Sequence, residues 1–267
     1  MKKILNYIDN KFGRFFFGND NDFRINLLGS LERLKLNSLF KTNNFFKYGY
    51  VSSGKSNKDY CDELKDHIQK FVDKNFREDL YNYTVPNDKK TIEISKKIFN
   101  SNQKLKSDLN SIFGDKFIIS DICIYRNYHF NQQDQTNEQY SNFFHCDHYV
   151  KTMFKIFIIL DDVDENNGPL FFFDKATTKK IIPKFYKNRN EYKPNIDKIF
   201  KVNKFTGGKG NALVCSTTEC LHKAGVPDKN KSRDMIVYNC FNLENSDPWY
   251  YENNLSTSLS KKLGKLN

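Results

Sequence analysis

From Phe154 to Leu160 the chain is apolar or aromatic at every position except Lys155, and then it changes character abruptly. Positions 161 to 169 are rich in Asp, Asn, Gly and Pro, which reads as a turn, and Leu170 to Phe173 resumes the apolar run. Two strands joined by such a turn predict a β-hairpin, the repeating unit of antiparallel sandwiches. Strand alternation places Lys155, Phe157 and Ile159 on one face, and Phe154, Ile156, Ile158 and Leu160 on the other. Lys155 therefore has two readings. It either faces a pocket and pairs with a carboxylate there, or it marks an edge strand guarded against aggregation.

Further strands are expected at Phe117 to Tyr125 and Met235 to Phe241, both rich in β-branched and aromatic residues, and at the apolar segment Ala212 to Cys215. The first hundred-odd residues follow a different period. Leu27, Leu28, Leu31 and Leu34 recur at helical spacing. So do Leu64, Ile68 and Phe71, then Ile94 and Ile98, then Leu105, Leu109 and Ile112. These stripes predict helices packed on a β core, giving a mainly β chain with helical additions.

Two runs carry residues suited to metal chemistry. FFHCDHY holds His145 and Asp147 one residue apart, so an extended backbone turns both side chains to the same side. ECLHKAG supplies His222, just after the apolar segment ending at Cys215. Two imidazoles and a carboxylate form the ligand set that holds non-haem Fe(II) on one face and leaves the opposite positions open. A His-x-Asp pair alone is equally a surface histidine beside an acid. Arg233, eleven residues after His222, adds a planar and permanently charged fork suited to a carboxylate, as an enzyme using 2-oxoglutarate requires. Its ordinary alternative is a solvated arginine at a strand start. Arg126, in ICIYRNY, faces either a pocket holding an anionic substrate or the surface. His67, His129 and His148 read as structural or exposed.

From Asp121 to Asn242 the chain resembles the phytanoyl-CoA dioxygenase-like Fe(II)/2-oxoglutarate oxygenases. HCDHY, KIFIILDDVDENNGPLFFF, GNALVCSTTECLHKAGVP and SRDMIVY carry the resemblance. It implies a double-stranded β-helix, the cupin-like jelly roll, around Fe(II) held by His145, Asp147 and His222. It also implies that Arg233 binds 2-oxoglutarate, with O2 as the second cosubstrate; Lys155, if its face lines the barrel, would pair with a carboxylate of the cosubstrate or substrate. The corresponding activity is hydroxylation of a small molecule or biosynthetic intermediate, coupled to oxidative decarboxylation of 2-oxoglutarate to succinate and CO2. Halogenating relatives carry a small residue where this chain has Asp147, which favours hydroxylation. Asp174, Lys175, Ala176 and Thr177 replace the Pro-Gly-Ser-His type turn of many relatives, and nothing in the chain reads as a CoA-binding element. The alternative is a non-catalytic jelly-roll scaffold with a structural or vestigial metal site.

One oxygenase domain over 1–267 is expected, with a mostly helical region at 1–115, the jelly roll at 116–245 and a polar tail at 246–267. A basic insertion at about 178–206 is expected to overhang the pocket mouth, where it is either a merely solvated loop or a lid for an anionic small-molecule substrate, which Arg126 would also suit if it faces the pocket. The net charge of +11 is spread over scattered lysines without an aromatic ladder, so it does not point to nucleic acid. Six cysteines without metal spacing read as free thiols of a reducing cytoplasm. No segment has the length and apolarity of a membrane span. Leu255, Leu259 and Leu263 in the tail have helical spacing, and the sequence is silent on oligomeric state.

Overall fold

The computed structural model describes residues 43–75, 81–114, 117–131, 138–147, 153–185 and 196–242. The expected helix around Leu27 to Leu34, the tail leucines, His148 and the centre of the basic insertion, with Lys187, Arg189 and Lys193, lie outside these residues.

A six-stranded and a three-stranded antiparallel sheet face each other. The chain begins with a short helix α1 (Asn44–Tyr48) and strand β1 (Tyr50–Lys55), followed by helix α2 (Lys58–Asn75) and strand β2 (Asn82–Thr84). Helices α3 (Lys89–Ser101) and α4 (Gln103–Phe113) precede the long strand β3 (Ile118–Tyr128). Then come β4 (Met153–Ile159), β5 (Leu170–Phe172), helices α5 (Lys175–Phe185) and α6 (Ile196–Ile199), β6 (Asn203–Phe205), β7 (Asn211–Cys215), β8 (His222–Ala224) and β9 (Ser232–Phe241). The larger sheet runs β1-β7-β4-β9-β3-β2 and the smaller β6-β5-β8.

The period of two along β4 separates two cores. Phe154, Ile156, Ile158 and Leu160 join Ile122, Ile124, Ile236 and Tyr238 against Leu64, Ile68, Ile94, Ile98, Leu105 and Leu109 of the helices. Phe157 and Ile159 join Leu213, Met235 and Val237 against Leu170, Phe172 and Phe205 of the smaller sheet. The helices thus seal the outer face of the larger sheet, and its inner face looks into the space between the sheets. Each fully buried aliphatic side chain contributes roughly 1.5–3 kcal/mol through apolar area removed from water. Asp88 and Asn102 cap α3 and α4 by accepting from Thr91 and Leu105 backbone N–H groups at 2.7 and 2.9 Å. Tyr238 ties sheet to helix by donating its hydroxyl to the Ser95 carbonyl at 2.6 Å.

Three expectations are corrected. The apolar runs around Asp161 to Pro169 do not form a hairpin, because β4 belongs to the larger sheet and β5 to the smaller one. The turn carries the chain from one sheet to the other. A capping box on Asp164 shapes it, and Gly168 with φ +65° ends it. A Cβ at Gly168 would meet Pro227 N and Val226 C at 2.5 Å, so glycine lets this corner lie against the segment that follows β8.

The basic insertion, where described, is not a loop over a pocket mouth. Its helices place Ile181 and Ile196 with Phe144, Phe173 and Leu221, and Phe171 packs against that cluster. Phe171 alternates with the inward-facing Leu170 and Phe172, so the helices of the insertion lie on the outer side of the smaller sheet, and its last residues form the edge strand β6 of that sheet.

Arg126 is neither in the pocket nor at the surface. It shares the helix-covered face of β3 with Ile122 and Ile124, where Nε and Nη2 donate to the two carboxylate oxygens of Asp234 at 2.7 and 2.6 Å. Nη1 donates to Gln69 on α2 at 2.8 Å. This bidentate pair at the sheet-helix junction holds the guanidinium protonated.

Candidate metal centre

His145 and His222 meet through a backbone bridge. The His145 N–H donates to the His222 carbonyl at 3.0 Å, and the His222 N–H returns the bond to the His145 carbonyl at 2.9 Å. Asp147 is fixed to the same region by its N–H, which donates to the Thr217 carbonyl at 2.9 Å. A ligand atom from each of His145, Asp147 and His222 lies within 4.8 Å of the others, and all three residues are buried.

Both imidazoles are oriented by the same local device. Nδ1 of His145 stands 2.8 Å from the Phe143 carbonyl, and Nδ1 of His222 stands 3.0 Å from the Cys220 carbonyl. A carbonyl only accepts, so each ring carries its proton on Nδ1 and keeps the Nε2 lone pair for a ligand. Nε2 of His145 and of His222 are 3.7 and 3.9 Å from the same oxygen, Oδ1 of Asp147. Burial pushes the His222 imidazole down to about 3, with His145 adding to the effect, so it is neutral at physiological pH.

Lys155 completes the cluster. β4 lies between β7 and β9, so the edge-strand reading of this lysine does not hold. Its ammonium is 2.8 Å from Oδ2 of Asp147, an ion-pair separation without hydrogen-bond alignment, since Oδ2 is buried and makes no hydrogen bond. Burial would raise the Asp147 carboxyl, but Lys155 and the two imidazoles outweigh it and hold the group well below the usual carboxylate range. Two imidazole Nε2 atoms directed at Oδ1 of an ionised, buried carboxylate fit a divalent cation. The three side chains are able to bind a metal ion.

Arg233 stands on the same inner face as Met235 and Val237. It is buried, and its partners are uncharged: Nη2 donates to Asn127 Oδ1 at 2.7 Å and Nη1 donates to the Gly168 carbonyl. Its Nε has no hydrogen-bond partner among the described residues. Burial lowers this guanidinium to about 10.

Among solved structures, several resemble this architecture. SnoN, a non-haem alpha-ketoglutarate-dependent epimerase from nogalamycin biosynthesis, is 10% identical over 80% of this chain and 84% of its own, with a TM-score of 0.52. SnoK, an alpha-ketoglutarate-dependent carbocyclase of the same biosynthesis, is 11% identical over 83% and 91%, with a TM-score of 0.53. ThoJ, a non-haem monooxygenase, is 10% identical over 83% and 96%, with a TM-score of 0.54. The chain shares its fold with non-haem 2-oxoglutarate enzymes. SnoN has also been solved with Fe3+, alpha-ketoglutarate and nogalamycin RO. No family model matches the sequence, and no curated protein matches it.

Several residues that shape the site carry no sequence signal. The carbonyls of Phe143, Cys220 and Gly168 act through the backbone, whatever their side chains. Lys175 and Glu219 form an ion pair at 2.8 Å that anchors the turn before His222 to α5, and only the fold brings them together. His67 and His129 are structural: the first pairs with Asp88 at 3.1 Å and the second with the Pro227 carbonyl at 2.8 Å.

Proposed function

We propose that this protein is an Fe(II)- and 2-oxoglutarate-dependent dioxygenase built on a jelly roll, hydroxylating a small molecule or biosynthetic intermediate. The observation that carries the reading is the convergence of two Nδ1-protonated imidazoles on one oxygen of Asp147. His145, Asp147 and His222 would hold the iron, and Arg233 would take the distal carboxylate of 2-oxoglutarate. Bound there, iron supplies activation of O2 coupled to oxidative decarboxylation of 2-oxoglutarate to succinate and CO2.

The remaining chemistry belongs to the chain. Lys155 faces Asn239 across the β4/β9 pair, and Arg233 lies six residues from Asn239 along β9, about 20 Å at the rise of an extended strand. Between them, the inner face of the larger sheet carries the apolar side chains of Phe157, Met235 and Val237. 2-Oxoglutarate would have one end at the triad and its distal carboxylate at a buried guanidinium that lacks a carboxylate partner among the described residues. Asp147 as a third protein ligand supports hydroxylation as the outcome.

Anaerobic Fe(II) titration together with succinate formation tests the reading. Near-stoichiometric iron and slow succinate release without substrate are expected, both lost in His145→Ala and Asp147→Ala. A protein that binds no iron under these conditions refutes the proposal.

A further inference from the structure

The smaller sheet has half the strands of the larger one, and it leaves part of the inner face exposed. Along β3 the outer residues Ile122 and Ile124 are fully buried, whereas the inner residues Asp121, Cys123 and Tyr125 are each only partly buried. This strip is continuous with the metal centre. Asp121 pairs with Asn239, Asn239 with Lys155, and Lys155 with Cys215 in one row across the sheet. Asp121 is two strands from Lys155, about 10 Å at the ordinary strand spacing.

Hydrogen bonding within the strip runs in one direction. The Tyr125 hydroxyl is hydrogen-bonded with Cys123, and the Cys123 thiol donates to Oδ2 of Asp121 at 3.0 Å. The Asn239 amide also spends its N–H on this corner, 3.4 Å from Asp121 Oδ2 and 3.5 Å from Cys123 Sγ. The donors are therefore consumed on Asp121 Oδ2 and Cys123 Sγ. Among the described residues, the unused groups are acceptors: Oδ1 of Asp121, and Oδ1 of Asn239, which is buried without a hydrogen bond.

Lys155 and Arg126 are engaged elsewhere. Lys155 is paired with Asp147, Arg126 with Asp234, and the helices of the basic insertion lie behind the smaller sheet. We infer that the Asp121–Cys123–Tyr125 strip with Asn239 is the substrate-recognition wall, and that it takes a hydrogen-bond donor, an ammonium ahead of a hydroxyl, in place of an anion. This inference rests on the proposed oxygenase reading. An acceptor pair bearing one formal negative charge attracts an amine by a charge-assisted bond, accepts a hydroxyl by an ordinary one and repels phosphate.

Binding of three probes to the full chain loaded with Ni(II) and 2-oxoglutarate tests it, followed by calorimetry or saturation-transfer NMR. The probes are glucosamine, glucose and glucose 6-phosphate, which share a ring and differ in charge. The expected order is glucosamine, then glucose, then glucose 6-phosphate. Asp121→Asn should weaken glucosamine at least about tenfold and erase its advantage over glucose. Asn239→Asp, which adds a second carboxylate, should enlarge that advantage. Tightest binding of glucose 6-phosphate, an order unchanged in Asp121→Asn, or binding of none of the probes by a loaded protein overturns the inference and leaves the oxygenase reading standing. Failure of Ni(II) or 2-oxoglutarate to bind at all counts against the oxygenase reading instead.

Discussion

The Lys155 ammonium lies 2.8 Å from one carboxylate oxygen of Asp147, while the two imidazoles face the other oxygen. The lysine thus neutralises the acid from behind and leaves its front oxygen to the triad. A cation in front and a cation behind stabilise the same charge, so they substitute for each other in part.

Lys155→Met should therefore destabilise the metal-free protein by about 3–5 kcal/mol, the range for stranding a buried charge. Saturating Ni(II) should recover part of that loss. Thermal unfolding with and without Ni(II) checks this, and an equal deficit in both states would show that the lysine does not act on Asp147.

Arg233→Lys keeps the charge but loses the planar fork. 2-Oxoglutarate affinity should fall about 10- to 100-fold with Ni(II) affinity held, because a bidentate charge-assisted contact is lost and no metal ligand is touched. Parallel loss of both affinities would place Arg233 outside cosubstrate binding.

Acid should weaken the metal-free protein through His222. Its folded imidazole titrates at about 3 against an ordinary 6.5, so between these values the unfolded chain binds a proton that the folded chain does not. Stability is complete above the unfolded value and falls as pH drops through the window, by up to about 1.4 kcal/mol per pH unit from this residue. His222→Gln should flatten the slope between pH 6.5 and 5 in denaturant titrations.

Arg126→Met leaves Asp234 charged and buried beneath the helices. A stability loss of about 3–5 kcal/mol is expected, with Ni(II) and 2-oxoglutarate affinities unchanged. Selective loss of ligand affinity in a stable variant would return Arg126 to the pocket.

Alternation made much of this architecture legible. The split of Lys155, Phe157 and Ile159 from Phe154, Ile156 and Ile158 follows from the strand period alone, and so does the helical stripe of Leu64 and Ile68. Alternation does not say which sheet a strand joins, so the turn before Leu170 read as a hairpin when it is a crossing. Nor does it say which face looks inward, and Arg126 could not be assigned until Asp234 was seen beside it. The short strands β1, β2, β6 and β8 were illegible for another reason: three to six residues, several of them polar, do not establish a period. His145, Asp147 and His222 stood out by residue type and spacing, whereas the carbonyls that orient the rings have no residue code.

The backbone bridge between His145 and His222 also closes a loop in the chain. The two histidines belong to distant parts of the chain, and each holds the other's main chain as well as sharing its side-chain site. Closing that long loop costs entropy, which the contacts across it must offset. The main chain makes this closure by its own hydrogen bonds, so a cation held by the three side chains would clip shut a loop that the backbone already closes.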